Sequence, residues 1–225
     1  MEMYQELLKE TEKNGSAALI TTLGESLEKK VFRKEEASEI IQNAVEEAKM
    51  EGEPRLVEAG DKKYFVESFC REERLIILGG GHVGLALAEF AARTGFQVCV
   101  VDDRPSFANT VRFPWAAEVL CEGFASAIEK LQINEYDYIT ILTRGHRHDG
   151  DCLRALYKQK KSAYLGMIGS RRRVKQLKEQ LHEEENISQE WLDFIHSPIG
   201  LSIGAVSPEE IAIAILAEII QVKRT

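Results

Sequence analysis

The stretch Leu75–Gly84, LIILGGGHVG, is a short apolar run that leads through three glycines into an amphipathic segment. Gly79, Gly81 and Gly84 have the spacing G-x-G-x-x-G, with His82 inside the motif. Gly79 permits a tight turn, Gly81 lets a pyrophosphate approach the backbone, and Gly84 lets a helix pack closely on the strand. Because free N–H groups at a helix N-terminus favour an anion, the stretch predicts a strand, a phosphate-binding turn and a helix.

An acidic residue completes this dinucleotide fingerprint. Asp102 lies 23 positions after Gly79, directly after a second apolar run at residues 97–101, where a carboxylate is placed to accept hydrogen bonds from a ribose diol. Asp103 and Arg104 follow it. Arg104 could meet a 2′-phosphate, which Asp102 would oppose, so the choice between NAD and NADP stays open. The alternatives are a turn kept for packing alone and an exposed loop arginine.

Short apolar runs alternate with helical patterns on both sides of this turn, which favours a parallel sheet covered on both faces. We therefore predict an α/β protein, with a Rossmann-like doubly wound parallel sheet in residues 73–225. The predicted strands are 75–78, 97–101, 118–120, 138–142 and 163–168, with a short one near 194–196. The predicted helices are 83–94, 124–131, 150–160, 171–184 and 207–222.

Residues 1–72 predict a small N-terminal α+β module. Tyr4, Leu7 and Leu8 give one helical face, and an apolar stripe between residues 37 and 48 indicates an amphipathic helix. Strands are expected at 17–22 and 63–69. The charged segment at residues 70–74 is the natural boundary between the module and the sheet.

Polar, glycine-rich and basic residues follow each predicted strand of the larger domain. Since ligands of doubly wound sheets bind outside the carboxyl ends of the strands, we expect these residues to form one site. Gly169, Ser170 and Arg171 open a helix and predict a second anion cradle. Arg112 and His196 follow the second and sixth strands.

The loop Thr143–Asp149, TRGHRHD, contains His146 and mixes histidine with aspartate as a metal site or an acid–base site would. A closed zinc site takes about four ligands, so we predict no metal. The alternative is that Asp149 caps the helix expected to begin at residue 150. The sequence identifies no nucleophile–base pair, so catalytic residues stay unassigned, and the motifs predict binding better than catalysis.

The composition argues against several classes of protein. Asp and Glu total 37 against 29 Lys and Arg, a net charge of −8, which repels nucleic acid and anionic membranes. No stretch approaches the roughly 20 apolar residues needed to span a bilayer, and the acidic N-terminus does not resemble a signal peptide. The four cysteines are widely spaced, so we expect reduced thiols in a cytoplasmic protein. The last predicted helix is apolar nearly all round, so we expect it to be buried in the core or against a second protomer.

Four motifs occur in order between residues 74 and 224, and together they are more specific than the glycine fingerprint. They are GGGHVGLALAEFAARTGFQVCVVDDRPSFANTVRFPWA, TRGHRHD, YLGMIGSRRR and IHSPIGLSIGAVSPEEIAIAILAEII. In them the sequence resembles the Rossmann domain of the XdhC/CoxI family, accessory proteins that mature molybdenum hydroxylases. The resemblance implies a cytoplasmic homodimer that binds molybdenum cofactor (molybdopterin), supports its sulfuration and helps to deliver it. The implied partners are a xanthine dehydrogenase-like hydroxylase and a cysteine desulfurase.

The resemblance places ligand contacts in the matching loops. The cofactor-binding candidates are Gly79, Gly81, His82, Gly84, Asp102, Asp103, Arg104, Arg112, His146, Gly169, Ser170, Arg171 and His196. The N-terminal module departs from the family pattern, which usually has a GSSPR-like stretch and in some members paired cysteines. Residues 17–40 contain neither, so the module is abbreviated.

The leading hypothesis is a cofactor chaperone that is not catalytic or only weakly so. An NAD(P)-dependent oxidoreductase is the alternative, but no substrate domain and no catalytic Lys–Tyr or His–Asp pair can be recognised. An NAD-binding regulatory module that dimerises through its last helix is the third. The sequence leaves open whether the ligand is molybdopterin, its dinucleotide form or NAD(P).

Overall fold

The computed structural model describes residues 2–24, 26–71, 73–144, 146–159 and 161–224, and for residues 146 and 147 it describes the backbone only. The chain forms two compact units, residues 1–71 and 72–225. Within the described residues, no helix is long and apolar enough to cross a membrane. All four cysteines are free thiols.

The first unit is a four-stranded antiparallel sheet with helices packed on it. Its elements are α1 Glu2–Asn14, β1 Ser16–Leu23, β2 Glu28–Val31, a 3₁₀ turn at Lys34–Glu36, α2 Glu39–Glu51, β3 Arg55–Ala59 and β4 Lys62–Cys70. The strand order is β2-β1-β4-β3. Ala44, Val45 and Ala48 of α2 pack against Ala18 and Val66 of the sheet. The predicted α+β class is confirmed.

Strands β2 and β3 were missed by the sequence patterns because the sheet buries little of them. Val31 is the one buried residue of β2, and all five positions of β3 are exposed or half-buried. Both strands lie at the edges of the sheet. A strand at the edge of a sheet has one partner and buries few side chains here, so its sequence carries a weak hydrophobic signal.

The second unit is a five-stranded, wholly parallel sheet. Its elements are β5 Arg74–Leu78, α3 His82–Arg93, β6 Gln97–Asp102, β7 Glu118–Cys121, α4 Phe124–Leu131, β8 Tyr138–Ile141, α5 His146–Tyr157, β9 Tyr164–Met167, α6 Arg171–Glu185, α7 Gln189–Asp193 and α8 Pro208–Arg224. The strand order is β7-β6-β5-β8-β9. The order reverses between β5 and β8, and ligands of such sheets bind outside the carboxyl ends of the strands at that switch point.

Helices cover both faces of this sheet. On one face the core is built from α4, α5, α6 and α7, and on the other from α3 and α8. The central strand β5 is fully buried from Leu75 to Leu78, which explains its uninterrupted apolar sequence. The predicted α/β class with a Rossmann-like sheet is therefore confirmed. Helix α8 buries one side in the core, while Ile213 and Ile220 on the same helix are exposed.

One local expectation was correct only in part, and another was wrong. The short strand expected near 194–196 is reduced to His196, which forms a single parallel bridge with Gly166 of β9, because helix α7 extends to Asp193 and Phe194 is its C-cap. Helix α5 begins at His146 instead of residue 150. Asp149 therefore lies inside the first turn and is not the N-cap.

Candidate ligand-binding site

Two of the three fingerprint glycines are required by packing. Gly79 has a φ of +126°, and a Cβ on it would lie 2.4 Å from the carbonyl oxygen of Leu142. A Cβ on Gly84 would lie 2.1 Å from the carbonyl oxygen of Gly79. Both obstacles are backbone atoms, which cannot move aside as a flexible side chain can. These glycines thus allow the tight turn and the close approach of α3 to β5.

Gly80, a position that the fingerprint leaves unspecified, is constrained by contacts with three residues. A Cβ on it would lie 2.0 Å from the carbonyl oxygen of Phe107. Its N–H donates to Oδ2 of Asp102 at 2.9 Å, and its carbonyl accepts from Nε of Arg112 at 3.2 Å. The sequence could not identify this constraint because Phe107 belongs to a loop that follows the next strand.

Gly81 is the open position of the turn. A Cβ placed on it would have no neighbour within 4 Å. Gly81 is also the N-cap of α3, and no side chain hydrogen-bonds to that cap. His82 next to it is exposed. The turn therefore leaves space for a ligand beside N–H groups that the helix itself cannot satisfy.

Asp102 lies at the end of β6, but its carboxylate is already occupied. Oδ1 accepts from the backbone N–H of Arg104 at 3.1 Å and from its Nε at 2.8 Å. Oδ2 accepts from Nη2 of Arg104 at 2.9 Å and from the Gly80 N–H. Burial raises the pKa of Asp102, but the hydrogen bonds from Arg104 and Gly80 outweigh it, and the net shift is downward. Asp102 is therefore an anion that Arg104 neutralises.

The loop between β6 and β7 places aromatic and cationic groups on the glycine turn. The Arg104 guanidinium lies 3.8 Å from the centre of the Phe107 ring, and that of Arg112 lies 5.2 Å from it. The Nη2 of Arg112 is buried and has no hydrogen-bond partner among the described residues. Arg112 thus holds the loop against Gly80 and still has a donor to spare.

Two pockets that share Asp103, Phe124 and His148 lie at this edge of the sheet. The smaller, of about 240 Å³, is lined by Asp102, Asp103, Arg104, Phe124, Arg144 and His148. The larger, of about 340 Å³, continues from the shared residues along Gly123 and the facing sides of α4 and α5. We call the two together the edge cleft.

The edge cleft has one aromatic wall and a cationic one. The rings of Phe124 and His148 meet edge-on with their centres 5.5 Å apart. Arg104 and Arg144 line the same pocket. Phe124 was missed in the sequence, although its place directly after the third strand of the unit, at the carboxyl end of β7, was a usable signal.

The loop after β8 is fixed by one short hydrogen bond. Oγ1 of Thr143 donates to Oδ1 of Asp149 at 2.5 Å, and both residues are buried. In the part of the chain that is described, no three His, Cys, Asp or Glu side chains are grouped as metal ligands. The predicted contact of His146 lies outside the described residues, because only the backbone is described there.

The second predicted anion cradle is satisfied by its own chain. Oγ of Ser170 accepts the backbone N–H of Arg173 and caps α6. A Cβ on Gly169 would lie 3.1 Å from Cγ2 of Val174. The side chain of Arg171 is exposed at the first position of the helix. None of these three predicted residues is among those that line the edge cleft.

His196 belongs to a separate cluster of side chains around Glu218. Its ring stacks on Tyr164 with the ring centres 4.7 Å apart, and its Nδ1 lies 3.6 Å from Oε1 of Glu218. Oε2 of Glu218 accepts from the Tyr164 hydroxyl at 2.5 Å and from the Gly200 N–H at 2.9 Å. Burial and the bond to Glu218 raise the pKa of Tyr164 well above its usual range. This cluster ties α8 to the loop after His196.

Comparison with known proteins gives one family and three informative relatives. The family model of the XdhC Rossmann domain matches residues 75–219. The uncharacterized protein YqeB of Escherichia coli is 37% identical over 165 residues, which are 73% of this chain and 30% of that protein. A protein of Bacillus subtilis named as a probable xanthine dehydrogenase component is 33% identical over 160 residues, 71% of this chain and 46% of that protein. The chain thus matches less than half the length of either relative.

The similarity extends to three dimensions. The crystal structure of a xanthine dehydrogenase from Bacillus halodurans matches with a TM-score of 0.70 at 28% sequence identity. The match covers 99% of this chain and 63% of that one. Both units of the present chain therefore have counterparts in that structure.

Proposed function

The chain belongs to the XdhC family through its Rossmann domain, and on that premise we propose that it is an accessory protein of xanthine dehydrogenase-type molybdenum hydroxylases. In this proposal it binds molybdenum cofactor as cargo and takes part in its maturation and insertion. The observation that carries the proposal is the edge cleft, which lies within the family-matched residues and includes Asp102, the acceptor of the Gly80 N–H.

The lining of the cleft suits the chemistry of that cargo. Molybdenum cofactor combines a pterin, whose pyrimidine ring is planar, with a phosphate group. Phe124 and His148 supply ring surfaces for a planar heterocycle, and Arg104 and Arg144 supply donors for a phosphate. The N-terminus of α3 at Gly81 is not part of this lining, but its backbone N–H groups also favour an anion.

The same region favours holding a ligand over transforming it. Thr143 and Asp149, a hydroxyl and a carboxylate that follow β8, are bonded to each other and buried. Arg104 and Asp102 form an ion pair, so their charges are also bound to each other. We therefore propose a carrier role in place of a catalytic one.

The relatives support the choice of client. The Bacillus subtilis protein is named as a probable component of xanthine dehydrogenase, and the matching crystal structure is named a xanthine dehydrogenase. A hydroxylase of that type is accordingly the proposed recipient, and a cysteine desulfurase the proposed sulfur donor. We further propose a homodimer, with the exposed Ile213 and Ile220 of α8 as a candidate contact between protomers.

The test is an anaerobic calorimetric titration of the purified full chain with molybdenum cofactor and, in parallel, with NAD, NADH, NADP and NADPH. We expect the cofactor to bind, and Arg144→Ala to weaken it about tenfold because a charge-assisted contact is lost. Arg93→Ala is the matched control, because Arg93 is exposed and pairs with Glu89 on α3. Binding or turnover of a nicotinamide nucleotide without affinity for molybdenum cofactor would replace the proposal with an NAD(P)-dependent oxidoreductase or an NAD-binding regulatory module.

A further inference from the structure

We infer that Arg104 occupies the place of a ribose at Asp102, so that the edge cleft rejects a ribose diol there and selects a phosphate monoester. This inference deepens the proposed function and rests on it only in using the same cleft. It makes Arg104 a residue that determines which class of ligand enters.

Asp102 lies beside the glycine turn. It ends β6, the strand beside the glycine-turn strand β5, and its Oδ2 accepts the N–H of Gly80 within that turn. A carboxylate at this place in a Rossmann sheet normally binds the ribose hydroxyls of a dinucleotide. The sequence alone therefore predicts a diol site.

The hydrogen-bonding positions of the Asp102 carboxylate are already filled. An ionised carboxylate offers about four lone-pair positions to hydrogen-bond donors. Three donors of Arg104 and the N–H of Gly80 supply four hydrogen bonds, at 2.8 to 3.1 Å. No acceptor position remains for two ribose hydroxyls unless Arg104 leaves.

Arg104 is held in place by two kinds of contact. Its Nε and Nη2 form a charge-assisted bidentate pair with a carboxylate that is 1% exposed. The guanidinium also stacks on Phe107 at 3.8 Å. A diol would replace the charged donors of Asp102 by neutral hydroxyls and would leave the guanidinium of Arg104 without its anionic partner.

The smaller pocket of the edge cleft offers hydrogen-bond donors to a ligand. Nη1 of Arg104 has no hydrogen bond to any described residue, while Arg144 and His148 line the same pocket. Arg104 neutralises Asp102, so Asp103 is the remaining carboxylate in the lining of the smaller pocket. Nη1 of Arg104 and the guanidinium of Arg144 are donors for an oxygen-rich anion such as phosphate.

The experiment compares two ligands that differ in one group. The 5′-methyl ester of adenosine 5′-monophosphate carries the ribose diol and no phosphate monoester. The same ester of adenosine 2′,5′-bisphosphate carries a phosphate monoester in place of the 2′-hydroxyl. We expect the full chain to bind the bisphosphate at least tenfold more tightly, measured by calorimetry. Arg104→Ala should reverse the preference, since it frees Asp102 for the diol and removes a phosphate donor.

Two further variants make the result decisive. Arg104→Lys keeps the charge without the fork and should lower the preference for the bisphosphate without reversing it, which covers the case that Arg104→Ala fails to fold. Arg93→Ala should change neither affinity. Tighter binding of the monophosphate by the unaltered chain, an equal loss of both ligands in the Arg104 variants, or binding of neither ligand would each overturn the inference.

The outcomes separate this inference from the proposed function. Binding of molybdenum cofactor with no preference between the two adenosine phosphates would refute the role of Arg104 alone. A clear preference for the bisphosphate, combined with no affinity for molybdenum cofactor, would refute the proposed cargo and leave the selection by Arg104 standing.

Discussion

The turn between β5 and α3 and the turn between β9 and α6 both bring glycine to the start of a helix at the same edge of the sheet. In the first, the N-cap is Gly81 and no side chain caps the helix. In the second, Ser170 accepts the N–H of Arg173 and caps the helix itself. A helix N-terminus presents unsatisfied N–H groups to a ligand only where its own sequence does not supply a cap.

The residues around the two turns differ as well. The β5–α3 turn is held by a loop that contributes Phe107, Arg112 and the Asp102–Arg104 pair. The β9–α6 turn is followed by three exposed arginines. The first turn is thus covered by a loop, whereas the second begins a helix whose first residues are exposed. Four substitutions test this difference.

The largest effect is expected from Gly80→Ala. Its new Cβ would meet the backbone oxygen of Phe107 at 2.0 Å, so the loop must shift, at a cost of about 3 kcal/mol or more. For a protein of this size that is a fall in Tm on the order of 6–12 °C, measurable by calorimetry. Gly169→Ala is the matched change in the other turn, where only the side chain of Val174 is close. Equal losses in both variants would contradict the comparison.

Asp102→Asn should be the next most destabilising change, by about 2 kcal/mol. This lies between the values for exposed and buried ion pairs because Arg104 is partly exposed. The pKa of Asp102 is lowered in the folded protein, so its contribution is complete above the unfolded pKa of about 3.9 and is lost as the pH falls through the folded value.

Urea unfolding at a series of pH values tests whether the contribution of Asp102 to stability is lost as the pH falls. The difference between the unaltered chain and Asp102→Asn should be constant from about pH 7 to pH 5 and should shrink below about pH 4. Asp103→Asn, at the exposed neighbouring carboxylate, should show little difference at any pH. A difference that grew on acidification would refute the assignment of Asp102 as the stabilised anion.

Gly81→Ala should separate binding from stability in the first turn. A methyl group there meets no atom within 4 Å, so we expect a change in unfolding free energy within about 0.5 kcal/mol. The same methyl group would stand in the space left for the ligand and should weaken binding of adenosine 2′,5′-bisphosphate about tenfold, or roughly 1.4 kcal/mol. Unchanged affinity would show that the ligand does not approach this backbone.

Ser170→Ala should give the smallest effect and the opposite pattern. Loss of the cap on α6 costs about 1 kcal/mol of stability. Affinity for the same ligand should stay unchanged, because the hydroxyl serves the helix. Calorimetric titration alongside thermal unfolding measures both quantities, and a loss of affinity without a loss of stability would make this turn part of the binding site.

Much of the larger domain could be read from local patterns. The strands β5 and β6, the glycine turn between β5 and α3, and the last helix each carry a signal within a few neighbouring residues, and their positions agree with the prediction to within about two residues. Elements with a weak local signal were missed or misplaced. Helix α7 is five residues long, and the strand expected after it is one bridge.

The sequence by itself determined the parallel sheet, the need for Gly79 and Gly84, and the place of Asp102 at its carboxyl edge, since periodicity and glycine conformation are properties of the local chain. Tertiary structure decided that the Phe107 carbonyl leaves no room for a Cβ at residue 80 and that Arg104 fills the hydrogen-bonding positions of Asp102. It also decided that Phe124 and His148 form one wall of the cleft. These contacts join residues from different loops, or depend on which rotamer a long side chain adopts. The physical reason is that the donor bound to a given carboxylate or carbonyl depends on all the groups that compete to hydrogen-bond with it. Those groups are known only once the loops are packed together.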